Sequence, residues 1–372
     1  MSNSQENSSH SDLIIEKQQT PYNKAGEIHR TVLLDPDGDV FLRCACHSEE
    51  GNHDFRVSAN ILRLASPVFK SMFSGCFLEG QRLLLEGVPV IELKDDDPEL
   101  MGSILRILHY QGKITDHTMS AKSLARLAIQ CDKYDLTRSL GLWTTTWLRN
   151  GRTNDTSAEV FGFKMLAAYI FGDSKEFRDI SREAVFQLDL SFSSKWEKEE
   201  LLSILPFSIT EALYKRIQRA LDELEAVLQC MEHLLRENSR CYDDRQFLCT
   251  QCGRNLPGEA KKCHPCRNTQ LLPSYYTSKT RIAEYFDILR TVELWPTVGC
   301  FATCSVLQVL SRFTQARERL KHACAGSSNC PLPRALYLLF DKAKEAREWN
   351  NGLCLQCIRE GGDDGGGLCD HE

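Results

Sequence analysis

Two cysteine pairs constrain this chain more tightly than any other feature. In "FLCTQCGRNLPGEAKKCHPCRN" they are spaced Cys249-x2-Cys252-x10-Cys263-x2-Cys266. A CxxC lets two sulfurs reach one ion from a single tight turn, and four thiolates at tetrahedral corners are what zinc takes in a closed structural site. The intervening loop is long enough to double back and bring the pairs together. The four residues are therefore read as one zinc site. A buried apolar role for the thiols fits poorly with the charged residues around them.

Compartment bears on that reading. The first thirty residues show no basic segment followed by an apolar core, and no window reaches the roughly 20 apolar residues of a membrane span. The expected location is the cytosol, the nucleus or both. There, seventeen cysteines, several in CxxC pairs, point to metal before disulfides. A length of 372 residues allows two or three domains, and a net charge of −6 argues against a chain built mainly to wrap nucleic acid.

Residues 1–27 are rich in Ser, Asn, Gln and Lys and are expected to form a disordered tail. Beyond them, Asp35-Pro36-Asp37-Gly38 signals a turn, Val40, Leu42 and Cys44 alternate as a strand, and "FRV" reads as its hairpin partner. Ser58 is a candidate N-cap, with Ile61, Leu62 and Leu64 as an apolar face. Ser66-Pro67 starts a second short helix, buried through Phe69 and Phe73. "IELKDDDPELMGSILRILHY" gives a strand, an acidic cap and an amphipathic helix over Leu100, Met101, Ile104, Leu105 and Leu108.

These runs, with "LARLAIQCDKYDLTRSL" after them, resemble in order and spacing a BTB (POZ) domain of the kind common in fungal proteins. The resemblance implies an α+β fold for residues 28–150, a small sheet flanked by helices, whose business is protein–protein contact and often dimerisation. Asp39 matches the acidic residue usual at the first strand, whereas Asn60 stands where a histidine is usual.

Residues 151–240 read as a helical extension, broken at Gly172-Asp173 and ending in a long amphipathic helix of roughly 45 Å. Its stripe of Leu213, Ile217, Ala220, Leu224, Val227, Met231 and Leu234 is expected to pack on the protein's own helices, with an intermolecular coiled coil as the alternative. Residues 241–372 read as a mainly helical, cysteine-rich region with zinc-stapled loops. Cys354, Cys357, Cys369 and His371 form a candidate second zinc set there, for which Cys300, Cys304, Cys324 and Cys330 compete. Cys44, Cys46, His47 and His53 are assigned to strand packing and a solvated loop.

No P-loop, GxSxG, HExxH or dinucleotide glycine motif is present, so an enzyme is not expected. The Cys249 loop lacks the second, interleaved ligand set of a RING ligase. The resemblance instead implies an adaptor. BTB adaptors of cullin-based ubiquitin ligases use an apolar-x-acidic triplet just past the paired helices, and Phe77, Leu78 and Glu79 occupy that place. The alternative is a BTB transcriptional regulator that binds DNA or chromatin through its cysteine-rich region. It ranks lower because the tandem C2H2 pattern and a basic recognition helix are missing.

Overall fold

Alternation of Val40, Leu42 and Cys44 with polar residues predicts a strand with one buried face, and all three side chains are buried in the computed structural model. The structure describes residues 29–44, 52–112, 119–150, 155–237, 244–257, 259–276, 278–320, 330–348 and 351–361. The tail expected over residues 1–27 lies outside them. The chain divides into two compact units, one of residues 1–119 with 126–150 and the other of 120–125 with 151–372.

In the first unit, β1 (His29–Leu33), β3 (Asn52–Val57), β2 (Val40–Cys44) and β4 (Val90–Leu93) lie in that order in one sheet. β2 and β3 are antiparallel, as the hairpin reading required, and β1 and β4 add as parallel edges. Helices α1 (Ala59–Ala65), α2 (Pro67–Met72), α3 (Leu78–Leu85) and α4 (Pro98–Leu108) follow, then α5 (Ala121–Lys133), of which residues 126–133 count with this unit, and α6 (Gly141–Asn150).

Local chemistry sets their ends. Ser66 Oγ accepts the Phe69 N–H at 3.0 Å and donates to the Tyr134 carbonyl, while Pro67 supplies the first helical φ. Asp97 caps α4 by accepting the Glu99 and Leu100 N–H groups at 3.0 and 3.1 Å. Two expectations need correction. Ser58 sits at the start of α1, but its side chain caps nothing; Asp39 Oδ1 accepts the Ala59 N–H at 2.7 Å, and His109 Nε2 accepts the Ser58 N–H at 3.1 Å. Leu64 is 90% exposed, because it lies two residues from buried Leu62, about 200° round the helix.

The core of this unit is aromatic and aliphatic. Phe69 stacks on Tyr134 at 4.6 Å and on Phe73 at 5.6 Å. Beside it, buried Asp96 accepts from Lys133 Nζ at 2.7 Å and from the Tyr134 hydroxyl. Of the "DDD" run, Asp97 is thus the helix cap and Asp96 the anchor of a buried polar network.

The second unit begins with α7 (Ala158–Phe171) and α8 (Ser174–Gln187), separated by Gly172 in the left-handed region and Asp173, whose carboxylate accepts the Glu176 N–H. After α9 (Phe192–Trp196) and a 3-10 turn at Glu200–Ile204 comes α10 (Phe207–Glu237), 31 residues long. α11 (Ser278–Thr291), α12 (Thr297–Thr303), α13 (Val306–Glu318) and α14 (Pro331–Glu348) pack around α10, and α15 (Leu355–Arg359) lies on α8.

The buried line of α10 runs Ile209, Leu213, Ile217, Leu221, Leu224, Leu228, Met231 and Leu235. Its mean step exceeds 3.5 residues, so the strict heptad through Ala220, Val227 and Leu234 drifts off the core face, and those three are only partly buried. A straight helix clasped by its own neighbours has this period; a coiled-coil seam does not. Between α10 and α11 the chain forms a separate antiparallel sheet in the order β6 (Asn255–Pro257), β5 (Asp244–Cys249) and β7 (Leu271–Tyr276).

Candidate metal centre and interaction surface

The three-stranded sheet carries two loops of the same build. The Cys249 N–H donates to the Arg254 carbonyl at 2.9 Å, and the Gly253 N–H donates to the Cys249 carbonyl at 2.9 Å. The second loop repeats both bonds: Cys263 N–H to Asn268 at 2.8 Å and Arg267 N–H to Cys263 at 2.7 Å. In each, the residue after the second cysteine turns left-handed, Gly253 at φ 67° and Arg267 at φ 60°. That reversal is what folds a CxxC so that both sulfurs point the same way.

The loops face each other. Cys249 Sγ lies 3.4 Å from Cys266 Sγ, Cys252 Sγ lies 3.5 Å from Cys263 Sγ, and Cys266 and Cys252 are 3.6 Å apart. All four sulfurs fall within 4.8 Å of one another. A tetrahedron with metal–sulfur bonds of about 2.3 Å has edges of about 3.8 Å, so the four cysteines are arranged as a metal would need them. Cys249 and Cys263 are buried with Leu256, and Phe247, Ala260, Cys266 and Leu271 close around them.

Crowding gives these thiols unequal acidity. Burial opposes ionisation of Cys249, but the N–H groups of Cys252 and Gln251, the Cys266 thiol and the Asn268 amide together draw it down to about 6. For Cys266 the Asn268 N–H favours the thiolate, yet burial and the other three sulfurs push it up to about 12. One thiolate is stable beside three thiols; four are stable only around a cation. Sequence reading missed Asn268, whose amide donates to Cys249 Sγ at 3.6 Å and to Thr250 Oγ1 at 2.9 Å. Its place five residues after Cys263, inside the repeated loop, was the available signal.

The second candidate set is not assembled in what the structure describes. Cys354 is buried at the N-terminus of α15 and Cys357 is half-buried on it, while Cys369 and His371 lie outside the described residues, as does Cys324. Cys300 and Cys304 are buried with sulfurs 4.0 Å apart, and Arg312 donates to Cys300 at 3.2 Å. Among the described residues only the Cys249 group gathers three or more potential ligands. Cys44 packs in the β2 core opposite His53, and Cys46 and His47 lie outside the described residues.

In the first unit the Phe77-Leu78-Glu79 triplet opens α3. Phe77 is 52% exposed, Leu78 is 68% exposed, and Glu79 is partly exposed. Gly80 makes this possible: a Cβ there would stand 1.8 Å from the Ser74 carbonyl oxygen, so only glycine lets the first turn of α3 lie against the preceding loop. The mixed sheet, the paired helices hinged at Pro67 and the capped α4 are accompanied by a match of residues 38–141 to the BTB/POZ domain family. This segment is a BTB/POZ domain. The BTB domain is a protein-interaction module, which places the exposed triplet on a domain that works by contact. No curated protein matches the chain. Among the described residues no helix is long and apolar enough to cross a membrane.

Proposed function

We propose that this protein is an adaptor of a cullin-based ubiquitin ligase: its BTB domain docks on the cullin through Phe77, Leu78 and Glu79, and its second unit presents a surface to clients. The exposure of Phe77 and Leu78 carries the reading. A helix start that leaves two large apolar residues in water serves the domain's own core poorly and suits a partner's groove, with Glu79 fixing register. The BTB domain would also pair with a second copy or a related domain. The four clustered cysteines bind zinc, whose role is structural because all four positions are protein sulfurs and none is open to substrate or water. A reducing compartment, cytosol or nucleus, keeps those thiols available.

The test is a titration of the intact protein with a cullin N-terminal fragment by calorimetry. Wild type is expected to bind, and Phe77→Ala with Glu79→Lys to lose binding by about a hundredfold, as truncating an anchor and reversing a charge does at interface centres. Failure of wild type to bind ends the cullin assignment. Native mass spectrometry reads the metal separately: one zinc on the Cys249 group, absent in Cys252→Ser.

A further inference from the structure

We propose that a pocket at the start of α10 binds a basic side chain, lysine or arginine, set beside a large apolar residue in a segment of a partner protein. The proposal rests on the adaptor reading only in taking the second unit as the client-facing one, and it assigns the chemistry of that surface.

The sequence lays two stripes along the first turns of α10. Ile209, Leu213 and Ile217 are fully buried and hold the helix in the bundle. Phe207, Glu211 and Tyr214 fall at i, i+4 and i+7 on another face, where Phe207 is 76% exposed and Tyr214 is 41% exposed. Two aromatic rings thus stand on a face that the bundle's core does not use.

The chain just before α10 builds the opposite wall. Trp196, at the end of α9, is anchored by its indole N–H, which donates to the Ala158 carbonyl at 2.6 Å, and by an edge contact with Phe192 at 4.9 Å. Leu202, in the 3-10 turn, packs with it against Gly162 of α7, where a Cβ would stand 2.6 Å from Leu202 Cδ1 and 3.0 Å from the indole. Between the walls lies a cavity of about 520 Å³, within the range of roughly 300–1,000 Å³ typical of ligand sites. Trp196, Glu197, Leu202, Phe207, Glu211 and Tyr214 line it.

Charge decides the occupant. Two carboxylates line the cavity and, among the described residues, no Lys, Arg or His does. Glu197 has no ion pair among the described residues. Glu211 meets Lys215 on its own helix at 3.0 Å, an exposed contact of the kind worth little, and its side chain stays 49% exposed. The bases nearest in sequence, Lys195, Lys198 and Lys215, lie outside the lining, and Lys195 is held by Asp189 at 3.5 Å. Aromatic faces attract a cation through their quadrupole, and carboxylates beside them fix its position. The same lining repels phosphates and acidic segments. Leu202 and the Phe207 ring offer apolar surface to the residue beside the cation.

The intact protein and the variant Phe207→Gln/Tyr214→Gln are panned in parallel against a display library of short random peptides. A peptide enriched only on wild type is then labelled for anisotropy titration. Enrichment of Lys or Arg next to Leu, Ile, Met or an aromatic residue is expected. Replacing that base by Gln in the peptide, or introducing Glu197→Gln/Glu211→Gln in the protein, should each weaken binding about tenfold or more, and affinity should fall as salt rises. Circular dichroism checks that both variants keep their helices; the isosteric Glu197→Gln/Glu211→Gln change carries the test alone if the aromatic variant disturbs α10. Enriched peptides without bases, affinity indifferent to Glu197→Gln/Glu211→Gln, or no peptide that tells wild type from an intact aromatic variant would each overturn the proposal. No cullin is present in the assay and Phe77 is untouched, so its failure leaves the cullin reading standing, and the converse holds.

Discussion

The BTB domain and the cysteine module solve the same problem with different materials. The first buries a continuous set of aliphatic and aromatic side chains, among them Leu42, Leu62, Phe69, Phe73, Met101 and Ile104, each under 2% exposed. The second has three buried side chains at its centre, two of them cysteines. At about 25 cal/mol per Å² of apolar area, so small a cluster cannot offset the entropy of ordering its loops. The first fold is therefore held by its own core, whereas the second, on the zinc reading proposed above, depends on what its thiols would bind.

Removing the proposed zinc gives the largest expected effect. A structural zinc contributes on the order of 10 kcal/mol to the fold of a small module. Chelation, or Cys252→Ser, is thus expected to abolish amide protection over residues 244–276 in hydrogen exchange while the BTB domain keeps its own. Acid should act in the same direction. Thiolates held by the proposed zinc would lose their protons well below the ordinary thiol value, so their contribution would be present at neutral pH and lost as pH falls. Zinc release followed with a chromogenic chelator from neutral to mildly acidic pH should track loss of the module and leave the BTB domain folded. Retention of native exchange in metal-free protein would break the comparison.

The reciprocal perturbation is smaller. Phe69→Ala removes a ring stacked between Tyr134 and Phe73 and should destabilise the BTB domain by about 3–5 kcal/mol. Zinc content per mole by native mass spectrometry should not change. Asp96→Asn comes next at about 1–3 kcal/mol, read by denaturant unfolding, since it weakens the acceptor for Lys133 and for the buried Tyr134 hydroxyl.

The contrast also governs what could be read from the chain. Spacing alone gave the clustering of the four cysteines, because CxxC geometry is local and the loop between the pairs leaves few ways to arrange four sulfurs. The order of BTB strands and helices was legible for a similar reason: Ser66-Pro67, Asp97-Pro98 and Gly172-Asp173 are caps and breaks written in adjacent residues. Long-range partners were not. Asp39 capping α1 across 20 residues, Asp96 meeting Tyr134 across 38, and His109 reaching Ser58 across 51 depend on the finished packing. The α10 stripe was misphased for a subtler cause. Apolar residues lie at both 3.5- and 3.6-residue periods along it, and only the neighbours that clasp the helix select Leu221, Leu228 and Leu235 over Ala220, Val227 and Leu234.

The finest comparison lies within the cysteine module, whose two loops share their hydrogen bonds and differ at one backbone position. Gly253 and Arg267 hold the same left-handed conformation. For an L-residue it costs about 1–2 kcal/mol, and glycine avoids that at an entropic cost of about 0.5–1 kcal/mol in the unfolded chain. A Cβ at Gly253 would meet nothing within 4 Å, so Gly253→Ala tests the backbone alone and should destabilise the zinc-bound module by about 1 kcal/mol in local-unfolding hydrogen exchange. Arg267→Gly should do the reverse and stabilise it by a few tenths to about 1 kcal/mol. If Arg267→Gly leaves the stability of the module unchanged, the two loops differ by more than the turn chemistry at this position.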